Sequence, residues 1–404
     1  MGRVLLFTGP ERSDRAGCID ALLREEAGAA LLLAPAYAYA AMRREDLLLG
    51  ASAPGAWGNP VREFNDFARY LLEAEGREVR LLGDFERLLI LEGCLNGMEA
   101  SGGLHLFTAE AQPETAPGMT QGLARHLLRV ITQLKQAAIE PGDFRNRVEK
   151  TGAAPIDHAV AEAYAAYQEA LKATGHYDVP GLYWEAERHC LGAAPKVLHG
   201  IRLLALDGFD DFTPSQFRLI QALSRHVERL VFGLNLDPAP DRADLYARSI
   251  ETAQQIRDRF DVVETNAGLP PPGRYSEFAA ATVFWRDPPR AVEGLTPDLE
   301  IHTHAGVLHE IESIGRKIKR LILDEGVAPG RIALVFRDFD AVAASLRAIF
   351  HEFGLPCRIH QKQPLRQSAL GAFLSRFIEA GAAWSREAVL DVLLSPWAAD
   401  TAPL

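Results

Sequence analysis

The first residues of the chain combine an apolar strand, a glycine, a short polar loop and the start of a helix, in the stretch LLFTGPERSDRAGCID at residues 5–20. This order is typical of a parallel α/β sheet, and nucleotide-binding proteins use the same setting to hold phosphate groups. A functional phosphate loop reads G-x-x-x-x-G-K-S/T. Counting from Gly9, the last three defined positions fall on Asp14, Arg15 and Ala16.

Each of these three substitutions weakens phosphate binding. Asp14 adds a side chain and a negative charge where glycine lets backbone N–H groups approach phosphate. Arg15 lacks the compact ammonium of lysine, and Ala16 has no oxygen for Mg²⁺. The sequence therefore predicts no ATP hydrolysis at this loop. A plain strand-to-helix turn is one interpretation, and the other is a vestigial nucleotide site formed by Gly9, Ser13, Arg15 and Asp207.

Asp207 ends a second apolar stretch, IRLLALD, where the magnesium-linked acid of a nucleotide-driven motor would lie. Asp-Gly pairs are also common in turns, so a turn-forming role for Asp207 is the alternative. Thr213, Pro214 and Gln216 follow as a capping box with proline at the first helical position, which predicts the start of a helix.

Composition describes an ordinary globular protein of 404 residues, with 48% hydrophobic and 24% charged residues. A formal net charge of −11 argues against a surface covered with nucleic-acid contacts but allows a local basic groove. No apolar run approaches the ~20 residues of a membrane span, and the N-terminus has no secretory pattern. We therefore expect a cytoplasmic protein without membrane contact.

The cysteines at positions 18, 94, 190 and 357 are widely separated, and neither a C-x-x-C pair nor a zinc-type Cys/His spacing occurs. Reduced, buried thiols of a cytosolic protein explain them. We expect no catalytic residue, no metal site and no cofactor in this chain alone, and an iron–sulfur cluster would need further ligands.

Hydrophobic patterning divides the chain into three regions. Strand–helix–strand patterns at residues 1–56 and 200–290 predict one α/β lobe, and residues 57–199 read as a helical insertion. Residues 291–404 predict a second, incomplete α/β lobe with strands at LEIHTH, RIALVFRD and PCRIHQ. Parallel sheets flanked by helices, with a large helical insertion, form the architecture of a helicase motor.

A helix predicted from Val307 to Glu325 has an isoleucine-rich face and an opposite basic face. The basic face predicts phosphate contacts, with a solvated surface as the alternative. Arg337 follows an apolar stretch and is a further candidate, because strand ends present groups to ligands. The candidate DNA-binding residues are Arg316, Lys317, Lys319, Arg320 and Arg337.

Several stretches together resemble the B subunit of the ATP-dependent helicase/deoxyribonuclease family (AddB/RexB type). The motif DGF at residues 207–209 is followed by FTP at residues 212–214, as in that family. Glu310 and Glu312, the stretch IALVFRD and the turn at residues 354–356 resemble its second lobe. The stretches FARYLLEAEG and LKQAAIEPGDF are similar to its helical insertion.

The resemblance implies two degenerate superfamily-one helicase lobes, followed in the family by a PD-(D/E)XK nuclease domain of the kind that uses Mg²⁺ to activate water. It also implies pairing with a helicase/nuclease A subunit (AddA-like), which carries the active motor with ATP and Mg²⁺. The partners would then be single-stranded and double-stranded DNA ends, in double-strand-break repair by recombination. Mg²⁺ and an iron–sulfur cluster would belong only to a nuclease region downstream.

Two departures from the family shape the functional prediction: the phosphate loop is degenerate, and no nuclease motif lies within residues 1–404. We expect a non-catalytic, helicase-like region that holds single-stranded DNA and docks onto the motor subunit. Two alternatives stay open. One is a protein-interaction scaffold without DNA contact, and the other is an active ATP-dependent helicase/exonuclease whose catalytic domain lies outside this chain.

Overall fold

The computed structural model describes residues 2–10, 13–49, 60–100, 121–236, 243–267, 300, 302–359, 365 and 368–398. These residues divide into two compact units, Met1–Pro297 and Asp298–Leu404. Within the described ranges, no helix combines the length and the hydropathy needed to cross a membrane.

A six-stranded, all-parallel sheet forms the centre of the first unit, with the spatial order β3-β2-β6-β7-β1-β8. A separate pair, β4-β5, is also parallel. β2 and β6 are buried along their whole length, as expected for strands covered by helices on both faces. The strands are β1 (Arg3–Gly9), β2 (Ala30–Ala34), β3 (Val61–Glu63), β4 (Arg80–Leu81), β5 (His176–Tyr177), β6 (Leu203–Asp207), β7 (Arg229–Asn235) and β8 (Val262–Asn266).

Ten of the described α-helices belong to the first unit. They are α1 (Arg15–Glu25), α2 (Tyr37–Leu49), α3 (Phe64–Glu73), α4 (Asp84–Ala100), α5 (Gln121–Gln136), α6 (Pro141–Thr151), α7 (Pro155–Thr174), α8 (Val179–Gly192), α9 (Pro214–Leu223) and α10 (Ala247–Arg259). Four belong to the second unit: α11 (Val307–Leu323), α12 (Phe339–Glu352), α13 (Ala369–Ala383) and α14 (Arg386–Leu393).

Three hydrophobic clusters stabilise the first unit. One face of the sheet packs against α3, α8, α9 and α10, and the other face packs against α1 and α2. The third cluster joins α4, α5 and α7, where Tyr164 and Tyr167 are fully buried. The tyrosines of α7 are therefore core residues.

The predicted strands β1, β2, β6 and β7 and the intervening helices are confirmed. The capping box also forms, because the Thr213 hydroxyl accepts a hydrogen bond from the Gln216 amide at 3.3 Å and the Gln216 side chain accepts one from the Thr213 amide at 2.9 Å. β8 was not predicted. It is an edge strand whose residues from Val263 to Asn266 are exposed, so it lacks the apolar run of a buried strand.

The helical insertion differs from its predicted range of 57–199. β3 pairs with β2 in the main sheet, and α3 and α8 contribute to the core on one face of that sheet. Only the segment around α4–α7 builds a core of its own, to which α8 adds Trp184. The sequence pattern did not separate the two groups because both are amphipathic helices.

The predicted second sheet is wrong for the described part of Asp298–Leu404. Residues 302–304, 332–336 and 355–359 form neither helix nor strand. Alternate side chains of the second segment pack onto the cluster formed by α11 and α12, while Val335 is 92% exposed. The apolar pattern predicted strands, but a strand also requires a hydrogen-bonded neighbour, and none is formed in the described part of this unit.

A buried ion pair connects α5 to the start of α8. Lys135 Nζ lies 2.7 Å from Asp178 Oδ1, both side chains are inaccessible to solvent, and Lys135 also donates to Gln168 at 2.7 Å. Burial lowers the pKa of Lys135. Asp178 additionally caps α8 by accepting a hydrogen bond from the Gly181 amide at 2.8 Å.

We predict that Lys135→Met lowers the free energy of unfolding by about 3–5 kcal/mol, because it leaves a buried carboxylate without its partner. Adding Asp178→Asn restores part of the loss, since asparagine still caps α8 and carries no charge. Urea unfolding measures both effects. Lys172→Met is the control, because its ion pair with Glu169 is exposed. An equal cost for Lys135→Met and Lys172→Met would contradict the prediction.

Candidate functional site

The carboxyl ends of the central strands bring the predicted nucleotide-site residues together. In the sheet, β7 lies between β6 and β1. Gly9 is in register with Asn235, and Asp207 is in register with Gly233. This edge of an open parallel sheet is where α/β proteins commonly bind ligands.

Asp207 is fully buried at this edge and is surrounded by polar partners. Arg15 Nε lies 3.3 Å from Asp207 Oδ1, and Arg43 Nε lies 3.2 Å from Asp207 Oδ2. The Tyr39 hydroxyl donates a hydrogen bond to Asp207 Oδ2 at 2.8 Å. Arg15 also donates to the Asn235 side chain. Both carboxylate oxygens therefore lie within ion-pair distance of a guanidinium, one from α1 and one from α2, although Oδ1 accepts no hydrogen bond from the described residues.

Arg43 links Asp207 to a second carboxylate. Its two terminal nitrogens donate to the oxygens of Asp20 at 2.6 and 3.3 Å, in a forked arrangement. Burial raises the pKa of Asp20, and the hydrogen bond and charge of Arg43 oppose that shift. Burial and the nearby Asp207 charge raise the pKa of Tyr39, which keeps its hydroxyl protonated as a donor.

Two described side chains of the loop before α1, Ser13 and Asp14, pack onto nearby glycines. A Cβ placed on Gly9 would lie 2.3 Å from the Ser13 hydroxyl, so Ser13 packs directly onto Gly9. A Cβ on Gly17 would lie 2.1 Å from Asp14 Oδ1. The Asp14 carboxylate therefore covers the first turn of α1, and a helix N-terminus is the place where a phosphate would otherwise bind.

Two glycines leave room for this arrangement. A Cβ on Gly233 would lie 2.6 Å from Asp207 Oδ1, so only glycine lets the carboxylate rest on β7. Gly208 has φ +85°, a conformation that favours glycine, and it lies against the ring of Tyr39. Phe209 and Phe212 then turn into the core, with ring centroids 4.7 Å apart. The motif DGF…FTP is therefore a packing and turn motif here.

Among the described residues, the two arginines 15 and 43 face the two carboxylates 20 and 207. These four side chains offer a phosphate no excess positive charge, and Mg²⁺ would have to displace two guanidinium groups from Asp207. Among the described residues, no group of three or more His, Cys, Asp or Glu side chains is arranged to bind a metal ion. The arrangement suits structural cohesion rather than phosphoryl transfer.

The candidate DNA-binding residues of α11 lie on an exposed helix face, opposite the buried Ile311 and Ile318. Their side chains differ in their contacts. Arg316 and Lys317 pair with acidic residues, and Lys319 donates a hydrogen bond to the Phe353 carbonyl at 2.9 Å. Arg320 forms no hydrogen bond or ion pair within the described residues. Arg337 is exposed in the same unit, apart from that helix.

Three residues near the sheet edge were missed by the sequence reasoning. Tyr39 and Arg43 are four positions apart on α2, so a helix pattern places them on one face, and this was a usable signal. Tyr37 begins α2 directly beyond β2 and is 73% exposed. The guanidinium of Arg44 lies 5.7 Å from the Tyr37 ring centroid. An exposed aromatic residue at this edge is a second, separate feature of the site.

The fold and the site thus define a parallel α/β protein whose phosphate-loop-like turn is closed by its own side chains. Residues 195–269 match the family model described as ADDB, N-terminal, and this range contains β6, β7 and the DGF…FTP motif. The predicted resemblance to the AddB-type B subunits is therefore confirmed for this range.

Curated relatives agree with this assignment. The chain is 26% identical over 66% of its length to the B subunit of an ATP-dependent helicase/deoxyribonuclease from Geobacillus kaustophilus (strain HTA426). It is 28% identical over 82% of its length to the protein of the same name from Heliobacterium modesticaldum (strain ATCC 51547 / Ice1). These matches cover 25% and 28% of the relatives, so the chain spans about a quarter of their length.

We predict that Asp207→Asn lowers the free energy of unfolding by about 3–5 kcal/mol, because two buried guanidinium groups lose their shared partner. Urea unfolding is the measurement. Asp210→Asn is the matched control, since Asp210 is exposed three residues further along the same loop. If both variants unfold at the same urea concentration, the carboxylate of Asp207 does not hold the site together.

Proposed function

We propose that this chain is a non-catalytic, helicase-like region of a helicase/nuclease B subunit, which holds single-stranded DNA and docks onto a motor subunit during recombinational repair of double-strand breaks. Its relatives are named as subunits of an ATP-dependent helicase/deoxyribonuclease, which supports a partner subunit and a DNA substrate. ATP and Mg²⁺ belong to the partner motor in this proposal, and any nuclease cofactor belongs to a region beyond these residues.

The closed network around Asp207 is the observation that carries the non-catalytic role. A motor uses this strand-end aspartate for Mg²⁺ and the loop cation for phosphate. Here Asp207 pairs with Arg15 and Arg43 instead. In this proposal the lobe retains the parallel sheet of a motor, and the two arginines occupy the contacts of Asp207 that Mg²⁺ and nucleotide would use in a motor.

Support for DNA binding comes from exposed groups in each unit, considered separately. In the first unit, Tyr37 offers an exposed ring at the carboxyl edge of the sheet, with Arg44 beside it. Aromatic rings with neighbouring arginines are the usual platform for unpaired bases. In the second unit, Arg316 and Arg320 are exposed one helical turn apart on α11.

Support for docking comes from exposed apolar side chains of the second unit. Val335 is 92% exposed, Leu394 is 80% exposed and Trp384 is 79% exposed. Contiguous exposed apolar patches are typical of surfaces covered by another polypeptide, and in this proposal the three side chains belong to such a surface. The same exposed side chains are compatible with the alternative of a protein-interaction scaffold without DNA contact. A measurement of DNA binding distinguishes that scaffold from the proposed function.

We predict that the 404-residue chain binds a fluorescein-labelled oligothymidylate with an affinity that falls as salt rises. Tyr37→Ala weakens binding at least about fivefold through lost stacking, while Tyr37→Phe retains it. Arg316→Ala with Arg320→Ala reduces the slope of log K against log salt by about 1.4, for two phosphate contacts on a single strand. Fluorescence anisotropy measures all three effects.

The matched control is Arg376→Ala with Arg386→Ala, which removes the same charge from the helices α13 and α14 of the second unit. We expect it to leave the salt slope unchanged. Absence of oligonucleotide binding by the wild-type chain would refute the DNA-holding role and favour the scaffold.

We also predict that ATP with Mg²⁺ leaves the melting temperature of the chain unchanged, because a ligand stabilises a protein only by binding its folded state. Differential scanning fluorimetry over a range of nucleotide concentrations checks this. A concentration-dependent rise in melting temperature that Asp207→Asn abolishes would show that the network opens for nucleotide.

A further inference from the structure

A groove on the helical part of the first unit is separate from the residues discussed so far. It lies between the beginning of α4 and most of the length of α5, and it has a volume of about 800 Å³. Its polar lining residues lie mainly on successive turns of α5, and its apolar lining residues come from both helices. The residues that matter here are Phe85, Arg87, Arg125, Arg129, Thr132 and Gln133.

The groove is basic on a chain whose net charge is −11. Among the described lining residues there are three arginines and one carboxylate, Asp84, which pairs with Arg87 at 3.1 Å. The sequence of α5, QGLARHLLRVITQLKQ, contains no acidic residue, so this helix adds only positive charge to the groove through Arg125 and Arg129. The local potential therefore favours an anionic ligand.

An aromatic ring stands beside these cations. Phe85 lines the groove in the first turn of α4 and is 71% exposed. Folding gains little from a ring that stays in water, so packing does not explain it. The combination of an exposed ring, arginines and the hydrogen-bonding side chains of Thr132 and Gln133 is the composition of a surface that binds unpaired bases and their phosphates.

We propose that this groove is a second contact for single-stranded nucleic acid, in which Phe85 stacks on a base while Arg125 and Arg129 bind phosphates. The two arginines are one helical turn apart, about 6 Å along the axis of α5, so they address successive positions of a strand that follows the helix. A duplex does not satisfy the site, because its bases are already stacked. The inference rests on the proposed function and extends it to the helical insertion.

The test uses the 404-residue chain and a fluorescein-labelled oligothymidylate. Phe85→Ala weakens binding roughly tenfold, as loss of one base–aromatic stack does. Leu89→Ala is its control, because Leu89 is an exposed apolar residue of α4 that does not line the groove. We expect Leu89→Ala to bind like the wild-type chain.

The arginines are tested by Arg125→Ala with Arg129→Ala, which lowers the salt slope by about 1.4. Arg145→Ala with Arg147→Ala is the matched control, since both residues are exposed on α6 of the same unit. Circular dichroism and urea unfolding establish that each variant is folded. Photo-crosslinking of an oligonucleotide containing 5-bromodeoxyuridine, followed by peptide mass spectrometry, places the strand at the peptide that contains Phe85.

The outcomes separate this inference from the function on which it rests. A wild-type chain that fails to bind the oligonucleotide refutes both. A wild-type chain that binds, with Phe85→Ala and the α5 double variant binding equally well, refutes only the groove. Selective loss of an acidic protein partner in the groove variants, with DNA binding intact, would also overturn it.

Discussion

The buried carboxylate of Asp207 is the contact on which the first unit depends. It ends β6 in the middle of the sheet and receives Arg15 from α1 and Arg43 and Tyr39 from α2. The interactions of a buried charge offset the free-energy cost of its desolvation only when all of its partners are present. One side chain therefore fixes how two helices lie against the sheet, and the hydrophobic contacts of that face are built around it.

The sheet edge and the helical part of the first unit expose different groups. At the edge, Asp207 is paired with arginines. The exposed ring of Tyr37 lies beside this edge, and the groove lined by α4 and α5 lies away from it. The core between α4, α5 and α7 is separate from the two cores against the sheet. Because each core buries its own apolar faces, the helices can present a binding surface without disturbing the sheet.

Local pattern was sufficient to predict β1, β2, β6 and β7 and the cap at Thr213, because apolar runs and capping residues act over a few positions. Arg15 and Asp207 were also identified, since each follows a strand. The role of Arg43 was not, because the sheet order brings α2 beside β6, more than 150 residues later in the chain. The predicted strands of the second unit failed because pairing depends on neighbours that no local pattern specifies.

The strand order also governs how the chain can be made. β1 and β2 are synthesised before β6 and β7, and they do not pair with each other: Arg3 pairs with Arg229, and Ala30 pairs with Leu203. β1 must wait for β7 and β2 must wait for β6, which at ~5–20 residues per second means roughly ten seconds or more on a ribosome. During that interval the fully apolar β2, ALLLA, can pair only with the three-residue β3. The early helices α1 and α2, which pack against this face of the sheet, are then the nearest apolar cover for β2 until the central strands are made.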